Sequence, residues 1–151
     1  MLVLDNSVLS AFTKLDLLAE LGSHVKKGLI SWEILKEHSQ KWESVLPEWI
    51  NVVKPEPEEL ESNPPASLSR ADISGVFLST QFQCSLASDD LDLRKFATSL
   101  DIKITGSLGL LKAMYLKNII KNKGDYYLHV DLLRTDVYFT EDLYEWARDV
   151  E

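Results

Sequence analysis

Short apolar runs that alternate with longer segments of helical spacing constrain this chain more than any other feature. The runs are LVLD (2–5), KGLIS (27–31), INVVK (50–54), CSLAS (84–88) and IKIT (102–105). Each is too short for a buried helix and is rich in Leu, Ile and Val, so each reads as a strand. Helical segments lie between and after them: SVLSAFTKLDLLAELG (7–22), with Gly22 as its stop; WEILKEHSQKW (32–42), capped by Ser31; a segment opened by a Ser69–Asp72 capping box and running through ISGVFLSTQ; DLDLRKFATSL (90–100); SLGLLKAMYLKNII (107–120), broken at Lys123-Gly124; YYLHVDLLR (126–134); and EDLYEWARDV (141–150), capped by Thr140. VYF (137–139) reads as a short extended piece. Alternating strands and helices specify an α/β fold: a three-layer α/β/α sandwich around a central, mainly parallel sheet.

Length and composition narrow the class. At 151 residues the chain reads as a single domain, 1–151, with PEPEELESNPP (55–65) as an acidic, Pro-rich surface connection rather than a domain boundary. One cysteine, Cys84, precludes an internal disulfide framework and fits a reducing compartment. No apolar run approaches the length of a membrane span and no signal segment is visible, so the expected location is cytoplasmic. The net charge of −8 argues against sequence-blind nucleic-acid binding through a broadly basic surface. The charge is uneven: residues 125–151 hold eight acids and two arginines, whereas Lys103 to Lys123 contains five lysines and no acid.

In parallel α/β folds chemistry gathers at the carboxyl ends of strands. Asp5 ends the first strand; Asp89, Asp90 and Asp92 follow the CSLAS strand. Glu37 and Asp72 lie on helices. Each acid has a plain reading: Asp5 and Asp90 as helix N-caps, Glu37 as a solvated helix acid, Asp72 as the capping-box partner of Ser69. Jointly they suggest carboxylates converging on one sheet edge. Two such charges 4 Å apart repel by about 4 kcal/mol at an effective dielectric of 20. Divalent cations relieve that, and all-oxygen donors suit Mg²⁺ or Mn²⁺. Zinc does not fit, because Cys84, His24, His38 and His129 show no ligand spacing. Trp32, Trp42, Trp49 and Trp146 read as packing residues rather than a base-stacking platform, and Leu110, Leu111, Met114 and Leu116 read as core with a share in an interface.

These segments resemble the PIN-domain family, predicted nucleic-acid-binding and ribonuclease proteins related to type II toxin–antitoxin toxins. VLDNSVLSAF resembles the family opening, SWEILKEH the second motif, LSRADISGVFLS the third, and LASDDLDLRKFATSLDIKITGSLGLL the fourth. YFTEDLYEWARDV is similar to the family's tail. Trp32 stands where the family often has proline, and Asn6 where it often has Thr or a small residue. The resemblance implies metal-dependent hydrolysis of RNA phosphodiester bonds. Asp5, Glu37, Asp72 and Asp90 would be the catalytic and metal-holding acids, with Mg²⁺ or Mn²⁺ as cofactor. Ser7, Ser88, Asp89 and Asp92 would support them; Arg70, Arg94, Lys95 and Lys112, with Lys117, would meet RNA. It also implies a homodimer and a protein partner such as an antitoxin. Two rival readings are a catalytically weak PIN-like module that binds nucleic acid or protein, and a phosphoacceptor domain using Asp5 as nucleophile. The second lacks an acid beside Asp5.

Overall fold

The computed structural model describes residues 1–43, 45–60 and 62–150; Ser44, Glu61 and Glu151 lie outside the described residues, and Glu61 falls in the acidic connection. Five strands form one fully parallel sheet: β1 (Leu2–Leu4), β2 (Gly28–Ser31), β3 (Ile50–Val53), β4 (Ser85–Ala87) and β5 (Ile104–Thr105), in the order β3-β2-β1-β4-β5. The chain winds outward from β1 to β3 and then returns to place β4 on the other side of β1. The strand order therefore reverses at β1/β4, which opens a crevice at their carboxyl ends.

Alternation along each strand separates two cores. Leu2, Leu4, Ile30 and Ala87 pack on one face with α1 (Asn6–Lys14), α2 (Leu18–Val25), α3 (Trp32–Ser39), α6 (Ser107–Leu116), α7 (Lys123–Leu133) and α8 (Glu141–Arg148). Val3, Leu29 and Leu86 pack on the other with α4 (Arg70–Phe82) and α5 (Leu91–Ser99). Strands covered on both faces must be apolar throughout, which explains their uninterrupted Leu, Val and Ile.

The helix ends differ from the sequence expectation. The segment 7–22 is two helices, because Asp16 takes φ 56° between α1 and α2. Gly22 does not stop a helix; it lies buried inside α2. The helix after β5 ends at Leu116, past which Asn118 takes φ 61°, and Lys123-Gly124 begins α7 rather than breaking α6. Residues 137–139 pair with no strand. Positive φ is taken by Asp16, Lys26, Gln83, Asp101 and Asn118, and by no glycine.

Gly22 and Gly28 instead admit Trp49. A Cβ on Gly22 would sit 2.4 Å from Trp49 Cδ1, and one on Gly28 2.7 Å from Cζ3. The indole Nε1 donates to the Leu18 carbonyl at 3.0 Å. Helix propensity alone favours alanine over glycine by about 1 kcal/mol. Overpacking costs about 1–3 kcal/mol. Gly22→Ala is therefore expected to lower stability by about 1 kcal/mol; a raised midpoint in urea denaturation would contradict the clash.

Candidate functional site

β1 ends directly in the first turn of α1, so the residue between them has extended backbone and a side chain free to cap. Asp5 fills that position, and its Oδ1 accepts the Val8 N–H at 3.1 Å. Asp5 is thus the N-cap of α1. It is also more than a cap. The carboxyl is only 2% exposed. Ser7 Oγ donates to Oδ1 at 2.6 Å, and Ser88 Oγ, 83 residues away and just past β4, donates to Oδ2 at 2.5 Å. Burial pushes the Asp5 pKa from an ordinary 3.8 up to about 7, against the pull of these three donors; the neighbouring Asp89 adds to the rise.

Asp89, expected as a helper, is the acid that stands beside Asp5. Its N–H donates to Ser7 Oγ at 2.9 Å. Its carboxylate accepts the Ser107 N–H at 2.8 Å and the Ser107 hydroxyl at 2.5 Å, from the first turn of α6. Burial raises its pKa too, partly offset by Ser107 and Arg94. Asp90, expected as the fourth acid, is placed otherwise: its Oδ1 accepts the Leu93 N–H at 3.0 Å as the N-cap of α5. Asp90 therefore spends one carboxylate oxygen on the first turn of α5, whereas Asp89 has no capping bond and turns toward Ser107. Asp92 lies on the exposed side of α5 and accepts from Ser67 Oγ at 2.9 Å.

Glu37 and Asp72 form a second pair. Burial and then the Asp72 charge raise the Glu37 pKa. Asp72 completes the capping box of α4, accepting the Ser69 N–H at 2.9 Å while its own N–H donates to Ser69 Oγ at 3.1 Å. The four expected acids therefore do not meet at one point. Among the described residues, no three His, Cys, Asp or Glu side chains are grouped closely enough to hold a metal ion. The donor chemistry nonetheless fits a hard cation. Mg²⁺ is commonly held by one or two carboxylates, with water and substrate phosphate completing the shell, and Asp5 and Asp89 supply two neighbouring carboxylates rimmed by the hydroxyls of Ser7, Ser88 and Ser107.

The expected RNA-contacting cations divide. Arg70 and Lys95 are exposed. Lys112 is engaged elsewhere: its Nζ donates to the Trp146 carbonyl at 2.6 Å and lies 4.0 Å from the Trp146 ring centroid, tying α6 to α8. Arg94 turns inward and donates to the Ser88 carbonyl at 2.7 Å. Of the histidines, His38 is buried and stacks on Trp42 with ring centroids 6.5 Å apart, a packing role. Leu110, Leu111 and Met114 belong to the core, and Leu116 remains exposed. The sequence reading gave no role to Gly106 and Ser107, which wall the Asp89 side; the available signal was the polar step TGS closing a strand.

No curated protein sequence matches this chain closely enough to count as a relative. No helix among the described residues is long and apolar enough to cross a membrane. A family model described as PIN domain matches residues 1–149. That match spans both acid pairs and every strand of the sheet, and with a parallel α/β architecture of nuclease type carrying a buried strand-end aspartate, the chain belongs to the PIN-domain family.

Proposed function

We propose that the protein is a ribonuclease that hydrolyses RNA phosphodiester bonds with the help of Mg²⁺ or Mn²⁺. The observation that carries this reading is the Asp5–Asp89 corner at the strand-order reversal: two largely buried carboxyls joined through Ser7, with the Asp5 pKa raised by burial and, to a smaller extent, by Asp89. Asp5 and Asp89 would hold the cation, which when bound supplies positive charge for the phosphate oxygens and acidity for a water molecule. Ser7, Ser88 and Ser107 fix the carboxylate orientations through their hydroxyls. Glu37 on α3 and Asp72 on α4, the second acid pair, would act on the substrate from their own position, Glu37 with its raised pKa as a proton acceptor. In the balanced reaction, water oxygen bonds to phosphorus, one P–O ester bond breaks, and the proton passes to the leaving oxygen. Arg70 and Lys95 supply exposed positive charge to the RNA backbone.

The acidic stretch 125–151 suits a basic protein partner such as an antitoxin segment, which would make the enzyme the toxin of such a pair, acting in the cytoplasm as a single-domain homodimer. Cosedimentation that recovers no basic partner counts against this part.

A second reading has its own support: each carboxyl of the Asp5–Asp89 pair already accepts two or three hydrogen bonds, as in a PIN-like module that binds without cutting. Incubating a mixed RNA pool with Mn²⁺ decides between them. The wild type is expected to cleave, and Asp89→Asn and Glu37→Gln to lose about 10- to 100-fold or more of that activity. Absence of cleavage with every divalent ion would replace the enzyme by the binding module.

A further inference from the structure

We propose that Arg94 is a positioning residue, which clamps the Ser88–Asp89 corner onto the Gly106–Ser107 turn, and does not meet RNA phosphate. The inference rests on reading the Asp5–Asp89 pair as the catalytic cleft. Arg94 lies in the first half of α5 and turns back toward the crevice, where its Nη1 donates to the Ser88 carbonyl at 2.7 Å. The Ser88 N–H donates to the Thr105 carbonyl at 2.9 Å. The residue is thereby held from both sides of its backbone, by β5 and by the guanidinium. Its hydroxyl meanwhile donates to Asp5 Oδ2 at 2.5 Å and accepts the Asp90 N–H at 3.1 Å. One guanidinium therefore sets the backbone that carries a hydrogen-bond donor of Asp5 and leads straight into Asp89.

Gly106 makes the clamp possible. A Cβ at that position would stand 2.9 Å from Arg94 Nη1 and 3.0 Å from Asp89 Oδ1, so a side chain there would push the guanidinium off its present position and crowd the carboxylate. The Ser107 N–H and hydroxyl then reach Asp89. The positive charge of Arg94 also favours the ionised form of Asp89. One Arg94 nitrogen is committed to a backbone carbonyl in a half-buried setting, which favours a positioning role over a phosphate contact.

The test combines cleavage kinetics, RNA affinity and an amide probe on Arg94→Met, Arg94→Lys and Gly106→Ala. Arg94→Met is expected to lower kcat about 10- to 100-fold with KM nearly unchanged. Arg94→Lys, which keeps a donor and a charge, should recover part of that loss. Gly106→Ala should mimic Arg94→Met, and the double variant should lose less than the two losses combined. The salt dependence of RNA affinity should be unchanged, whereas loss of a phosphate contact would reduce its slope by about 1. The NMR shift of the Ser107 amide, bonded to Asp89, should move in Arg94→Met and Arg94→Lys. A rise in KM alone, a reduced salt slope, or an unmoved Ser107 amide would overturn the proposal. A wild type that cleaves no RNA would instead overturn the nuclease reading, and the amide shift and salt slope would still decide the role of Arg94.

Discussion

Asp5→Asn is expected to abolish cleavage and yet to make the protein more stable. The two effects share a cause. The Asp5 carboxyl is buried, and its pKa stands at about 7 rather than 3.8. Below about pH 4 the carboxyl is protonated in both the folded and the unfolded chain and costs nothing. Between 3.8 and 7 the unfolded chain releases the proton while the folded one keeps it, so stability falls as pH rises. Above 7 the full cost is present, about 4 kcal/mol at about 1.4 kcal/mol per pH unit. Asparagine removes that cost. Its oxygen can accept from Ser7 and Val8, and its amide can turn a hydrogen toward Ser88 Oγ, so most of the hydrogen bonding survives. With a chelator present at pH 8, the variant should be more stable than wild type by about 2–4 kcal/mol, and the difference should shrink toward pH 5. Cleavage should fall about 100-fold or more, equivalent to about 2.7 kcal/mol of barrier. Urea denaturation at several pH values, paired with the RNA assay, separates the outcomes. A variant less stable than wild type at pH 8 refutes the buried-charge account, and equal cleavage refutes the site.

A large loss of stability outside the site should come from Trp49→Ala. The indole lies over Gly22 of α2 and Gly28 of β2, bonds to the Leu18 carbonyl, and immediately precedes β3. Its own carbonyl accepts the Gly28 N–H at 2.9 Å. Removing a core tryptophan costs about 3–5 kcal/mol. Trp49 is half-buried, so the lower end applies. The midpoint in urea should fall accordingly with little change in the m-value, which would mark lost native packing rather than an altered unfolded state. A loss under about 1 kcal/mol would mean the two glycines tolerate Trp49 without depending on it.

The sequence made the sheet readable because its strands are covered on both faces and so announce themselves as apolar runs. Asp5 and its two serines were readable for a related reason: polar residues immediately after such runs sit at the crevice. Helix ends were less readable. The expected stops were glycines, but the left-handed positions went to Asp16, Lys26, Gln83, Asp101 and Asn118, while Gly22 and Gly106 were kept for close approach by Trp49 and by the Arg94–Asp89 pair. Composition carries no mark of that difference. The different placement of Asp89 and Asp90 was unreadable because the two are adjacent and only the starting residue of α5 separates a capping carboxylate from one bonded to Ser107. The inward turn of Arg94 was equally hidden, since a helix cation reads alike whether it faces solvent or a carbonyl.

The bond between Ser88 and Asp5 spans 83 residues, which has a consequence for the order of events on the ribosome. Asp5 is made 83 residues before Ser88, and the partner strand and the Asp89 corner follow only after β2, β3 and α4 have been made. At about 5–20 residues per second, that interval is roughly 4–17 s. During it, β1 can pair with β2 and Asp5 can cap α1, but the second hydroxyl and the neighbouring acid are not yet present. A nascent chain therefore lacks both the Ser88–Asp5 bond and the neighbouring Asp89 until β4 has been made and docks beside β1.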